Sequence, residues 1–237
     1  MSLMRIEDMS FAYSAGGRKI LEHVNAEFDE GKIYALEGRS GAGKTTLLSL
    51  LAALTTPTEG TIFVDGEDVF ATDTYRYRCR DVGIVFQNYN LLPKLNAVEN
   101  VVLSMEIAGM RLVDKKARAA ELLMSLGIAE YDLDRPVLQL SGGQQQRVAM
   151  ARAISYEPPI ILADEPTGNL DERTEREIMA IFKDMAHRAG KCVIIVTHSK
   201  QIAAQADERI KIEDLNNRQA PESGEQTGVR TNYHPAS

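Results

Sequence analysis

The chain has 237 residues, with 27 lysines and arginines against 34 aspartates and glutamates, a formal net charge of −7. That length can bury a full core as one compact unit or two small lobes, and an acid excess without a long basic run argues against nucleic acid as the main partner. The longest apolar stretches (47–54, 159–163 and 193–196) fall far short of the ~20 residues a membrane helix needs, no signal-peptide pattern opens the chain, and Cys79 and Cys192 show neither disulfide nor metal spacing, which points to a reducing, cytosolic compartment.

Residues 4–13 (MRIEDMSFAY), 20–28 (ILEHVNAEF) and 60–66 (GTIFVDG) read as β-rich segments, and the glycine pair within 9–17 predicts a hairpin tip. Between them, KIYALE (32–37) predicts a buried strand, and a helix is expected over Lys44–Leu51. The joining residues 38–45 read GRSGAGKT. Gly38, Gly41 and Gly43 let the backbone curl so that successive N–H groups point inward, and the helix adds its positive N-terminal end, which makes a nest for phosphate oxygens. Lys44 can reach β- and γ-phosphates, and the Thr45 hydroxyl can ligate Mg²⁺. Arg39 either touches phosphate or is solvated.

DVGIVFQ (81–87) reads as a strand ending on Gln87, whose amide can reach a metal or water. From Asn88 to about Ser155 the pattern turns helical, with Ala97–Ala108 and Asp114–Leu126 as examples; Ala117, Ala120, Leu123 and Leu126 recur at helical spacing. Ser141-Gly142-Gly143 then opens a helix over Gln144–Ser155. Ser141 suits an N-cap, and the glycines leave the helix end bare for phosphate; taken alone this is also an ordinary capped helix. PIILADE (159–165) predicts a buried strand delivering two carboxylates to the carboxyl edge of a parallel sheet, where ligands bind. Asp164 suits the Mg²⁺ shell and Glu165 the polarisation of water; neighbours on a strand face opposite ways, which suits two roles. CVIIVT (192–197) predicts a strand leading to His198, with Cys192 as packing. Strands and helices alternate from Pro158 to Ile212, and residues 216–237 are polar and aperiodic, a flexible end.

These motifs, in this order, resemble an ATP-binding cassette (ABC) ATPase, the nucleotide-binding subunit of a membrane transporter, from residue 3 to about 213. GRSGAGKT (38–45) matches the Walker A loop, and PIILADE (159–165) matches the Walker B strand. Gln87 matches the Q-loop, LSGGQ (140–144) the signature, Asn169-Leu170-Asp171 the D-loop, His198 the switch histidine and Tyr13 the aromatic that stacks on adenine. The resemblance implies an α/β P-loop NTPase fold: a parallel sheet, an antiparallel β subdomain and an inserted helical subdomain at about 88–155. Residues 1–215 would form one domain and 216–237 a tail. It implies ATP and Mg²⁺ as cofactors. Nucleotide contacts would come from Tyr13, Gly38, Arg39, Ser40, Gly41, Ala42, Gly43, Lys44, Thr45, Thr46, Gln87, Ser141, Gly142, Gly143, Gln144 and Asp171, although a β-strand tyrosine such as Tyr13 also serves as packing. Thr45, Gln87 and Asp164 would hold the metal; Glu165 as general base and His198 at the γ-phosphate would be catalytic. The family places the Ser141 helix end on the γ-phosphate bound to the other subunit, so two chains bury two ATPs in a head-to-tail homodimer. The permease would be a separate integral-membrane chain, with this chain peripheral at the cytoplasmic face.

DEPTGNLD (164–171) and NYNLLPKLNAVEN (88–100) resemble the subgroup serving lipoprotein release, macrolide export and antimicrobial-peptide resistance, which implies export or extraction; importers carry similar stretches, and Ser199 stands where relatives often have Asp. Leu91, Leu92, Pro93 and Leu95, rimmed by Asn88, Asn90 and Lys94, read either as a docking patch for a permease helix or as core under the helical lobe. A DNA-repair relative would insert a long coiled coil between Gln87 and Leu140, and residues 88–139 hold no sustained heptads. A ribosome-acting relative would carry two cassettes, and one is present. A nucleotide-sensing scaffold would need a damaged site, whereas Lys44, Asp164, Glu165 and His198 are all in place.

Overall fold

The computed structural model describes residues 2–14, 17–39, 41–168 and 170–215. The glycine pair of the expected hairpin tip, Ser40, Asn169 and the tail at 216–237 are touched or covered by the remaining positions and lie, in whole or in part, outside the described residues. In chain order the elements are β1 (Met4–Phe11), β2 (Leu21–Phe28), β3 (Ile33–Glu37), α1 (Lys44–Leu51), β4 (Glu59–Val64), β5 (Glu67–Asp68), α2 (Thr74–Arg80), β6 (Val82–Val85), α3 (Ala97–Ile107) and α4 (Lys115–Ser125). There follow α5 (Gly142–Ile154), β7 (Ile160–Asp164), α6 (Glu172–Lys183), β8 (Cys192–Thr197), α7 (Lys200–Ala203), β9 (Glu208–Lys211) and α8 (Ile212–Leu215).

Five strands form a parallel sheet in the order β6-β7-β8-β3-β9, and four form an antiparallel sheet, β2-β1-β4-β5. The central parallel strands are apolar without interruption because both of their faces are covered. Alternate residues go to opposite layers. Ile160 and Leu162 of β7, with Cys192, Ile194 and Val196 of β8, join a core shared with α1 and the antiparallel sheet. Ile161 and Ala163, with Val193 and Ile195, join a second core formed with α3, α4, α5 and α6.

The register sets what meets at the carboxyl edge. Asp164 lies opposite Val196, and Glu37 opposite Thr197, so the loops leaving β7, β8 and β3 emerge side by side, with the loop after β6 next in line. Gln87, Glu165, His198 and the phosphate loop, distant in sequence, are thereby gathered on one edge.

Two elements differ from expectation. The sequence pattern gives no sign of α2, because only Tyr77 of its side chains is buried and a single anchor makes no periodicity. The helix is capped by Asp73 and fastened by the Tyr77 hydroxyl, which donates to the Leu51 carbonyl at 2.7 Å. The helix expected from Gln144 begins at Gly142, since the N–H groups of a first turn need no helical partner and glycine there costs little. Among the described residues no helix is long and apolar enough to cross a membrane.

Candidate functional site

The loop after β3 turns through left-handed glycines. Gly43, at φ 94°, is the N-cap of α1 and makes no side-chain cap, so the first N–H groups of α1 are left to other acceptors. The left-handed φ favours glycine there, and a Cβ on Gly43 would lie a tight 3.0 Å from the Ile20 side chain. The Lys44 ammonium donates to the carbonyls of Gly38 (2.9 Å) and Arg39 (3.0 Å), arching back over the loop.

A cleft of about 370 Å³ opens at this point, lined by Tyr13, Ile20, Gly41, Gly43, Lys44, Thr45, Thr46, Gln87, Asp164 and Glu165. The connection between β1 and β2 and the segments leaving β3, β6 and β7 therefore contribute to one concavity. Arg39 is exposed and does not line it; its backbone N–H meets Glu213, which fits the solvated alternative. Gly38 and Ala42 support the loop from outside the cleft, and Ser40 lies outside the described residues. Tyr13 stands over the cleft, 76 % exposed, with its hydroxyl 2.8 Å from Thr46 Oγ1 and its ring edge-on to Phe11.

Asp164 is buried at the end of β7. Burial pushes its carboxyl above the ordinary value; the Thr45 hydroxyl bonded to it and the nearby Lys44 pull the other way, and Glu165 adds to the rise. Among the described residues no three His, Cys, Asp or Glu side chains converge to hold a metal unaided. The Thr45 hydroxyl and the Asp164 carboxylate are hard oxygen donors held together, a donor set that fits Mg²⁺ completing its shell with phosphate oxygens and water.

Glu165 leaves the strand through a left-handed conformation, φ 46°. Its separation from Asp164 thus comes from a turn rather than from strand pleat alone. Such a conformation costs about 1–3 kcal/mol in a non-glycine residue and persists only when surroundings impose it. Here they do. The Glu165 N–H donates to the Val196 carbonyl at 2.9 Å, and His198 Nδ1 lies 2.8 Å from Oε1. The Thr197 hydroxyl and the His198 N–H both donate to Oε2 at 3.3 Å. Thr197 has no signature in the sequence; it matters because β8 lies beside β7. The His198 side chain is 70 % exposed and does not itself line the cleft.

The remaining expected residues form a second group. Ser141 Oγ accepts the Gln144 N–H at 3.3 Å, while Gln144 Oε1 accepts the Ser141 N–H at 2.9 Å, a reciprocal cap on α5. Asp171 caps α6, accepting from the N–H groups of Arg173 and Thr174 and from the Thr174 hydroxyl at 2.7 Å; that hydroxyl, above all, holds its carboxyl below the ordinary value. The two caps adjoin, since a Cβ on Gly143 would lie 2.8 Å from the Thr174 methyl. None of Ser141, Gly142, Gly143, Gln144 or Asp171 lines the cleft.

The loop after Gln87 links the two groups. Tyr89 and Asn90 are both left-handed, at φ 59° and 49°, and their carbonyls accept from the Arg152 guanidinium on α5. The Tyr89 hydroxyl reaches the start of α5, 3.1 Å from where a Cβ on Gly142 would be. Buried Asn100 on α3 closes the next turn: its Oδ1 accepts the Leu92 N–H at 2.8 Å, and its Nδ2 donates to the carbonyls of Leu92, Leu95 and Asn96. Of the apolar residues there, Leu91 packs on the second core while Leu92 is 45 % exposed. Arg152 and Asn100 were not legible as functional residues, because one arginine or asparagine in a helix carries no signal until its neighbours are known.

The sequence pattern of the ABC transporter family matches residues 21–168. The uncharacterized ABC transporter ATP-binding protein YclH of Bacillus subtilis is 44% identical over 212 residues, covering 90% of this chain and 94% of that protein. MacB of Syntrophobacter fumaroxidans, a macrolide export ATP-binding/permease protein, is 41% identical over 90% of this chain but only 31% of its own length. A dimeric ATP-binding cassette solved in a post-hydrolysis state with ADP and Pi matches with a TM-score of 0.81 at 36% identity, over 88% of this chain and 93% of that chain.

Proposed function

Because the chain belongs to the ABC transporter family, as an ATP-binding cassette and ATPase, we propose that it closes on ATP as a head-to-tail homodimer and so drives a separate membrane permease of export or extraction type. The carrying observation is the division of the site. Phosphate-loop, Thr45, Asp164 and Glu165 groups share one cleft, whereas Ser141, Gly142 and Gly143 at the capped start of α5 do not line it. A phosphate held between the cleft of one chain and the α5 end of another would satisfy both.

In that closed form the N–H groups at the start of α1 and the Lys44 ammonium hold the β- and γ-phosphates. Thr45, Asp164 and Gln87 would hold Mg²⁺, and the ion would supply neutralisation of phosphate charge. Glu165 takes the proton of the attacking water on its carboxylate, which Thr197 and His198 keep aimed. Tyr13 offers its ring to the base at the mouth of the cleft. Export is supported by likeness to the MacB ATP-binding portion and by residues 88–100 and 164–171. The exposed Leu92, set in a loop anchored by Asn100 and rooted at Gln87, is the docking point for the permease. A cytoplasmic, membrane-peripheral location follows from that docking.

The test is Glu165→Gln. The amide cannot accept the proton, so turnover should fall by roughly 10²–10⁴-fold while ATP stays bound. Size-exclusion chromatography in Mg-ATP should then show a dimer that reverts to monomer in ADP. A persistent monomer with near wild-type turnover would overturn both the base and the shared site.

A further inference from the structure

Asp132 ends a short 3-10 turn, Glu130–Asp132, nine residues before the Ser141 cap in sequence numbering and outside every motif named above. Its side chain is 1 % exposed. Both carboxylate oxygens are taken: Arg135 Nη1 donates to Oδ1 at 2.5 Å and Gln144 Nε2 donates to Oδ2 at 2.7 Å. Gln144 is the residue whose Oε1 accepts the Ser141 N–H and whose own N–H reaches Ser141 Oγ.

The chemistry of these groups leaves one arrangement. A carboxylate only accepts, so the Gln144 amide must turn its nitrogen to Asp132 and its oxygen to Ser141. Turned over, the amide would set its nitrogen against the Ser141 N–H, donor against donor, and its oxygen against the carboxylate. Arg135 compensates the buried charge and also donates to the Gln139 carbonyl at 3.3 Å, bracing the segment that leads into the cap. A reciprocal cap needs only Ser and Gln; burying the Asp132 carboxylate beneath it, with Arg135 half-exposed beside it, carries a desolvation cost that helix capping alone does not require.

We propose that Asp132 is a positioning residue of the nucleotide site shared between two chains. By fixing Gln144 it fixes the Ser141 cap, and the N–H groups of Gly142 and Gly143 are then presented in one pose to the phosphate bound by the other chain. This rests on the shared-site reading above. Asp132 acts on the second half of that site and leaves the cleft of its own chain untouched.

The experiment uses the Glu165→Gln protein as parent, with a fluorescent ATP analogue to read monomer affinity and sedimentation in Mg-ATP to read dimerisation. Adding Asp132→Ala should leave monomer affinity within about twofold and weaken the ATP-driven dimer roughly tenfold, the scale of one charge-assisted hydrogen bond. Gln144→Glu should weaken the dimer likewise by facing two carboxylates. Asp132→Asn combined with Gln144→Glu conserves net charge and reverses the bond, since the amide now at 132 donates to the carboxylate at 144. That pair should recover dimerisation to within about threefold of the parent. A merely structural role would lower melting temperature without this split or this recovery. A parent that stays monomeric sinks the shared site and this inference together. A dimerising parent with an unaffected Asp132→Ala dimer sinks this inference alone, as does absence of recovery in the double variant, which decides the matter if Asp132→Ala does not fold.

Discussion

The N-termini of α1 and α5 are both glycine-led helix ends, yet they are built in opposite ways. At α1 the cap is a left-handed glycine without a side-chain bond, and Lys44, Asp164 and Gln87 surround it in a cleft. At α5 the cap is a closed Ser–Gln box, backed by Asp132 and pressed against Thr174 and Tyr89, and it lies outside that cleft. The first end can envelop a ligand; the second can only be offered to one. In the proposed homodimer each chain would bring its cleft to one nucleotide site and its α5 end to the other.

The widest separation should come from paired variants. Lys44→Ala removes the phosphate counter-charge and should weaken nucleotide binding by the monomer roughly 10- to 100-fold. Ser141→Arg places bulk and charge at the α5 end and should leave monomer affinity within about threefold while abolishing ATP-driven dimerisation. Calorimetry on the monomers and sedimentation with ATP read the two quantities. Equal loss of affinity in both would erase the distinction between the two helix ends.

The loop between the two ends offers a gentler probe. Gln87 lines the cleft, Tyr89 reaches the α5 end, and Leu92 is exposed. Leu92→Asp should leave the fold and basal ATPase intact, because the loop is held by backbone bonds to Asn100 and not by Leu92 packing. It should reduce capture of the permease, or its stimulation of turnover, by roughly tenfold or more, since a charge replaces apolar contact at a docking point. Basal ATPase and permease pull-down on one preparation decide it; unaltered assembly would remove Leu92 from the interface.

The smallest effect expected is a gain in stability. Burial raises the Asp164 carboxyl, so its charge counts against the folded chain above that raised value, and the penalty disappears as pH falls through it. Asp164→Asn should therefore raise the melting temperature slightly at neutral pH, by less than about 1 kcal/mol in stability, while impairing Mg-dependent nucleotide binding. The gain should shrink in acid. A lower melting temperature at pH 7 would show that the Thr45 bond outweighs desolvation.

Local pattern was enough for much of the frame. The expected helix Lys44–Leu51 and the observed α1 coincide, and KIYALE and PIILADE contain β3 and β7 almost residue for residue. Apolar runs, glycine spacing and cap residues act over a few positions, so one chain segment carries its own instructions. The parallel order β6-β7-β8-β3-β9 has no such local cause. It arises from which faces pack, and the β7–β8 pairing within it brings Thr197 and His198 to the left-handed Glu165. The Arg152 clasp on Tyr89 and Asn90, the Asn100 staple and the Asp132–Gln144 bond depend likewise on contacts between elements. Local pattern specifies which groups are available for phosphate chemistry and roughly which elements carry them. Their separation into a cleft and a helix end outside it comes from the packing of the whole chain, because it depends on distances between segments that no local period encodes.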